Sequence, residues 1–121
     1  MTNQPASGTG GRIKEIESTA NPIIKDLKAL EKKRVREETG TFLAEGLKLL
    51  IDALESGWKI RTLVVSKQAR SQPQVEQFAA RCVAAGTDML IVSNKVLQSI
   101  TRRDNPQMVC GVVAQRLGAL A

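Results

Sequence analysis

Apolar residues recur at helical spacing from Pro22 to about Glu38, where Ile23, Leu27 and Leu30 line one side with Ile24 beside them. Ser18 and Asn21 offer capping side chains ahead of this stretch, Pro22 suits a first helical turn, and Thr39-Gly40 stops the pattern. One continuous helix over 22–38 is the expectation. A short strand at 41–44 follows, then a helix at 46–56 that buries Leu47, Leu50, Ile51 and Leu54 and ends at Gly57. The branched run at 60–66 has the composition of a strand buried within a sheet. Ser71 is expected to cap a third helix, with Pro73 near its start and its end near Ala85. Residues 89–92 read as a strand, Ser93 as the cap of a brief helix over 94–99, residues 101–106 as a polar loop and 108–114 as the last strand.

About four strands alternating with helices predict an α/β fold: an α/β/α sandwich, with a mixed sheet and helices on both faces. Residues 1–12 read as a disordered tail, 13–116 as one domain, and 117–121 as the start of a linker. Such an ending is expected of a piece cut from something longer. Apolar residues make up 42% and charged residues 25% of the 121, which is ordinary for a globular domain, so composition alone excludes little. No apolar run approaches the ~20 residues needed to cross a bilayer, and no membrane partner is expected. The polar first residues lack a signal core, which makes the cytoplasm the expected compartment.

Charge changes the picture. Eighteen Lys and Arg against twelve Asp and Glu leave a net +6, an excess that favours a polyanion as partner. With about 100° per residue, Lys25, Lys28, Lys32 and Arg36 fall within an arc of roughly 80° on the predicted first helix, opposite Ile23, Leu27 and Leu30. Lys33 flanks this arc. Such a stripe can meet a row of phosphates or can be an ordinary solvated face. Arg34 lies on the apolar side, so it either reaches past the sheet edge or pairs with a carboxylate or a carbonyl. Arg102 and Arg103 form a second basic cluster in the loop before the last strand, as binding residues or as surface decoration.

The absences narrow the chemistry. The chain has no His, which excludes Ser–His–Asp and Cys–His nucleophilic arrangements. Two cysteines, Cys82 and Cys110, cannot build a four-ligand zinc site, and both lie in apolar segments that suit buried reduced thiols. The string Gly8-Thr9-Gly10-Gly11 follows no strand and opens no helix, so it is no phosphate cradle. No catalytic residue, metal or cofactor is expected within this chain. The three aromatics fall at core positions (Phe42, Phe78) or beside a turn (Trp58), unlike modules that stack bases on aromatic platforms.

The run from Ile16 through Asn21-Pro22-Ile23-Ile24-Lys25-Asp26 to Leu27 resembles the opening of SpoU (TrmH-type) RNA methyltransferases of the SPOUT class. The likeness continues through Leu30-Glu31-Lys32-Lys33-Arg34, Phe42-Leu43-Ala44-Glu45-Gly46, Ala53-Leu54, Gly57 and the Asn105-Pro106-Gln107 turn. It covers roughly 13–116, and its force lies in the ordered series of motifs. The resemblance implies a substrate-binding domain with the fold of ribosomal kink-turn-binding proteins. It also implies a separate knotted domain that binds S-adenosylmethionine, methylates a ribose 2′-hydroxyl of ribosomal or transfer RNA, and pairs the parent enzyme as a homodimer. No glycine-rich cofactor loop follows residue 116, so the chain as given is expected to bind RNA without catalysing.

Carried over by position, Asn21, Lys25, Lys33 and Arg34 belong to the basic first helix, and Glu45-Gly46 open the second. Glu45 reads as a cap or loop organiser. Gly46 allows either a close approach of RNA or a tight turn. Met108 departs from the Gly that the family often has after Pro-Gln, and the Asn-Glu pair of kink-turn binders is absent. The leading expectation is the RNA-binding domain of a ribose methyltransferase. The alternatives are a stand-alone structural RNA binder of the kink-turn type and a protein-interaction domain with incidental charge.

Overall fold

The computed structural model describes residues 11–103 and 107–114. Residues 1–10 of the expected tail, the Asn105-Pro106 turn and the linker therefore lie outside the described residues, whereas Gly11 and Arg12 are bonded to the fold, Gly11 N donating to Val83 O at 2.8 Å and Arg12 N to Asp88 Oδ1 at 3.0 Å. Five strands, β1 (Ile13–Ile16), β2 (Thr41–Glu45), β3 (Lys59–Ser66), β4 (Asp88–Val92) and β5 (Val109–Ala114), form one sheet in the order β1-β4-β3-β5-β2. β1, β4 and β3 are parallel, while β5 runs antiparallel between β3 and β2. The helices are α1 (Pro22–Lys28), α2 (Lys33–Thr39), α3 (Leu47–Glu55), α4 (Pro73–Ala84) and α5 (Asn94–Thr101).

The period of two along β3 divides the core. Leu63 and Val65 face one side with Leu50, Val75, Phe78 and Cys82 of α3 and α4. Val64 faces the other, with Ile24, Leu27, Val96, Leu97 and Ile100 of α1 and α5. Both sheet faces are thus covered, as the alternation of elements predicts. Gly111 lets α3 approach β5 closely: a Cβ there would stand 2.9 Å from Leu50 Cδ2 and 3.1 Å from the Thr62 carbonyl oxygen. Trp58 packs edge-on against Phe42, with ring centroids 5.7 Å apart at 86°, and so covers the edge of the core.

The expected helix over 22–38 is corrected to two. After α1 a 3₁₀ turn spans Ala29–Glu31, and Lys32 turns extended at φ −86° and ψ 127° before α2 begins. The break is held by Arg36, whose Nη1 donates to the carbonyls of Leu30 at 2.9 Å and Glu31 at 2.7 Å. In an unbroken helix those two carbonyls would have taken the backbone N–H groups one turn further on. The guanidinium replaces them, so the chain can bend while leaving no acceptor orphaned.

Other differences are local. β1 is a fifth strand that the pattern did not foretell, because only Ile16 of its four residues is buried. Gln72, not Ser71, occupies the cap position of α4, since Ser71 closes a 3₁₀ turn over Ala69–Ser71. Thr101 belongs to α5 and not to the loop, with its hydroxyl donating to the Leu97 carbonyl at 3.0 Å. Asn21 and Ser93 cap α1 and α5 as expected, accepting from the backbone N–H groups of Ile23 and Val96.

Candidate nucleic-acid interface

The carboxyl ends of β1 to β4 and the start of β5 share one end of the sheet. Backbone bonds tie them together: Gly46 N donates to Val109 O, Ser66 N to Met108 O and Lys67 N to Val92 O, each at 2.9 Å. Val92 in turn is level with Ile16. Loops at this end are held by a rigid sheet, which is where a fold of this kind places binding groups. Asn21, Glu45, Gly46 and Arg103 all belong to the turns there.

The basic stripe does not survive as one line of four. Lys25 and Lys28 remain on α1, Lys25 exposed and Lys28 half-buried at the margin of the face that buries Ile24 and Leu27, and neither has an acid partner among the described residues. Lys32 stands exposed at the break, also without one. Arg36 is withdrawn from the stripe, because its guanidinium is spent on the Leu30 and Glu31 carbonyls. Lys33 and Arg34 sit on α2 and pair loosely with Glu37 and Glu38, each at 3.9 Å and in full view of solvent. Arg34 is therefore an exposed residue with a carboxylate partner, and the continuous helix that put it on the apolar side is the cause of the misplacement.

The second cluster is organised by acids distant in sequence. Arg102 Nη2 meets Glu31 Oε1 at 2.7 Å, and Arg103 Nε stands 3.0 Å from Glu45 Oε1. Arg102 holds φ +60°, a left-handed conformation that ends α5 and turns the chain towards these partners. Between the pairs lies a cavity of about 370 Å³ with Leu30, Arg36, Leu43 and Ile100 in its walls. Glu45 does not cap α3: Gly46 holds that position, and no side chain accepts there. The partner of Glu45 among the described residues is Arg103, 3.0 Å away. Gly46 itself has φ +106° with the Gln107 side chain 3.9 Å from where a Cβ would be, so the tight turn requires glycine.

Both cysteines are free and buried. Burial pushes the Cys82 thiol up to about 11. Cys110 goes up to about 12, by burial first and then by the charge of Glu45. Neither is a nucleophile at neutral pH. Sequence reasoning missed two cations at the same end of the sheet. Lys67 bonds Glu17, holding that carboxyl below its usual range through the hydrogen bond and then the charge, and Arg70 lies 3.3 Å from Glu15. The signal was available: cations at 67 and 70 directly follow the carboxyl end of a predicted strand. Among the described residues no cluster of three His, Cys, Asp or Glu could hold a metal, and no helix is long and apolar enough to cross a membrane.

Residues 21–111 match the family model of the MRM3-like substrate binding domain. The chain belongs to that family. A curated relative, the 23S rRNA (guanosine(2553)-2'-O)-methyltransferase RlmP of Bacillus subtilis, is 30% identical over 100 residues, which is 83% of this chain and 37% of the relative. Among solved structures, an rRNA methyltransferase from Sinorhizobium meliloti is 57% identical with a TM-score of 0.78, over 88% of this chain and 38% of that one. An RNA 2'-O ribose methyltransferase is 31% identical with a TM-score of 0.74, over 88% of this chain and 40% of that one. The likeness to SpoU-type enzymes read from the sequence is borne out, and this MRM3-like domain spans well under half the length of each of these relatives.

Proposed function

We propose that this chain recognises structured RNA, ribosomal before transfer RNA, on behalf of a SpoU-type 2′-O-ribose methyltransferase. The observation that carries the reading is the match of residues 21–111 to a substrate-binding family, together with the likeness of the chain to named rRNA methyltransferases. The geometry supports it. Lys25, Lys28 and Lys32 carry charge that no described acid offsets, on and beside a helix pinned by buried Ile24 and Leu27. Asn21 spends its side-chain oxygen on the Ile23 N–H at 2.9 Å, and its amide nitrogen, with no partner among the described residues, can donate to RNA. Phe78 is buried and Phe42 packs on Trp58, so phosphates and RNA shape, not stacked bases, are the expected points of grip.

In this reading the parent enzyme uses S-adenosylmethionine, acts in the cytoplasm and dimerises outside this domain. An AdoMet-bound structure of the S. meliloti relative supports the cofactor for the parent. The described residues do not fit it. The two turn glycines with room where a Cβ would stand, Gly40 and Gly46, lie singly on separate turns and form no cradle. No methyl-transfer step is assigned to them. A titration of the chain with an unmodified large-subunit ribosomal RNA transcript tests the reading. If four to six phosphates are neutralised, log affinity falls against log salt with a slope of about −3 to −5. Binding that ignores salt, or no binding at low salt, refutes it.

A further inference from the structure

Glu45 ends the edge strand β2 directly opposite Cys110 and has little solvent around its side chain. Its Oε1 atom is buried and takes no directed hydrogen bond among the described residues, although Arg103 Nε is only 3.0 Å away. The guanidinium thus compensates the charge from off the N–H axis. A carboxylate placed like this is costly to keep, and it sets a negative charge beside a cation that would otherwise serve a polyanion directly. Simple electrostatics would have removed it.

The fork of the arginine gives the reason to keep it. A guanidinium offers five N–H donors in a fixed plane, and the edge made by its two terminal nitrogens fits a phosphate in bidentate fashion. Arg102 spends one of those terminal nitrogens on Glu31. Arg103 instead turns its Nε side to Glu45 as an ion pair, and its terminal nitrogens have no partner among the described residues on a side chain 65% exposed. We propose that Glu45 is a positioning residue that aims the terminal edge of Arg103 at an RNA phosphate. The proposal rests on the RNA reading above and assigns Arg103 to contact and Glu45 to its orientation.

The test measures Kd for the same large-subunit ribosomal RNA transcript across a salt series, in the wild-type chain and in Glu45→Gln, Arg103→Gln, Arg103→Lys and the double variant Glu45→Gln/Arg103→Gln. Loss of net negative charge alone predicts tighter binding by Glu45→Gln; positioning predicts the opposite, a loss of about tenfold. Arg103→Gln is expected to lose a similar factor and to lower the salt slope by about one. In that background Glu45→Gln should add nothing. Arg103→Lys leaves Glu45 untouched and keeps the charge without the fork, so it should bind nearly as poorly as Arg103→Gln. Wild-type or tighter affinity in Glu45→Gln overturns the positioning role, as do losses that add in the double variant or wild-type affinity in Arg103→Lys. Failure of the wild-type chain to bind at low salt is a different result: it removes the RNA reading, and the positioning role with it.

Discussion

α1 and α2 are neighbours of equal length, yet they hold their charges in opposite ways. α1 is capped by Asn21, opens with Pro22, buries Ile24 and Leu27, and carries Lys25 and Lys28 towards its carboxyl end, where cations suit the helix dipole. α2 buries no residue fully, and only Val35 of its apolar side chains packs partly against the core. It carries Lys33 and Arg34 at its amino end and Glu37 and Glu38 towards its carboxyl end, the reverse of what the dipole favours. Two of its side chains tie it to the flanking chain: Arg36 bonds the preceding carbonyls, and the Thr39 hydroxyl, which donates to Val35 O at 2.8 Å, lies 2.7 Å from the Thr41 hydroxyl. The difference teaches that basic character alone does not make a binding element. Cations on α1 sit on a helix anchored by buried Ile24 and Leu27, whereas those on α2 sit on a helix anchored only through partly buried Val35.

The widest gap should appear in stability. Ile24→Ala removes a fully buried side chain under α1 and is expected to cost about 2–5 kcal/mol in urea denaturation, while Val35→Ala in α2 should cost under ~1 kcal/mol. Equal costs would abolish the distinction between the helices. Next comes RNA affinity. Lys25→Gln/Lys28→Gln is expected to weaken binding roughly 10–100-fold and flatten the salt slope by about two, with Lys33→Gln/Arg34→Gln losing less. The reverse order would move the contact surface onto α2. Arg36→Ala should then cost about 1 kcal/mol and raise amide exchange across 33–39, since two carbonyls lose their donor. Unchanged exchange there would mean that the break needs no clasp. Smallest of all, the charge swap Lys33→Glu/Glu37→Lys should stabilise the domain by ~0.3–0.5 kcal/mol by aligning charge with the dipole, read as a rise in Tm.

Much of the architecture was legible because the core is written in simple periods. The branched run of β3, the caps at Asn21 and Ser93 and the apolar face of α3 each state their element locally. β1 was not legible, since a parallel edge strand with one buried residue leaves almost no alternation to read. The break at Lys32 was hidden for a different reason. No Gly or Pro lies between Ala29 and Arg36, and the bend depends on a guanidinium that closes on carbonyls five and six residues back. Of the candidate site, the excess of cations was visible, and a carboxylate partner for Arg34 was one of the readings. The pairs Glu31–Arg102 and Glu45–Arg103 were not, because they join residues that only the folded sheet brings together.

The sheet order also bears on how the chain leaves the ribosome. β2 touches the rest of the sheet only through β5, the last strand to be made. At ordinary elongation rates β2 therefore waits for roughly 3–13 s with both of its edges bare. In that interval residues 41–45 are open to strand exchange with a neighbouring copy, as residues 13–16 are at the other edge until β4 is made.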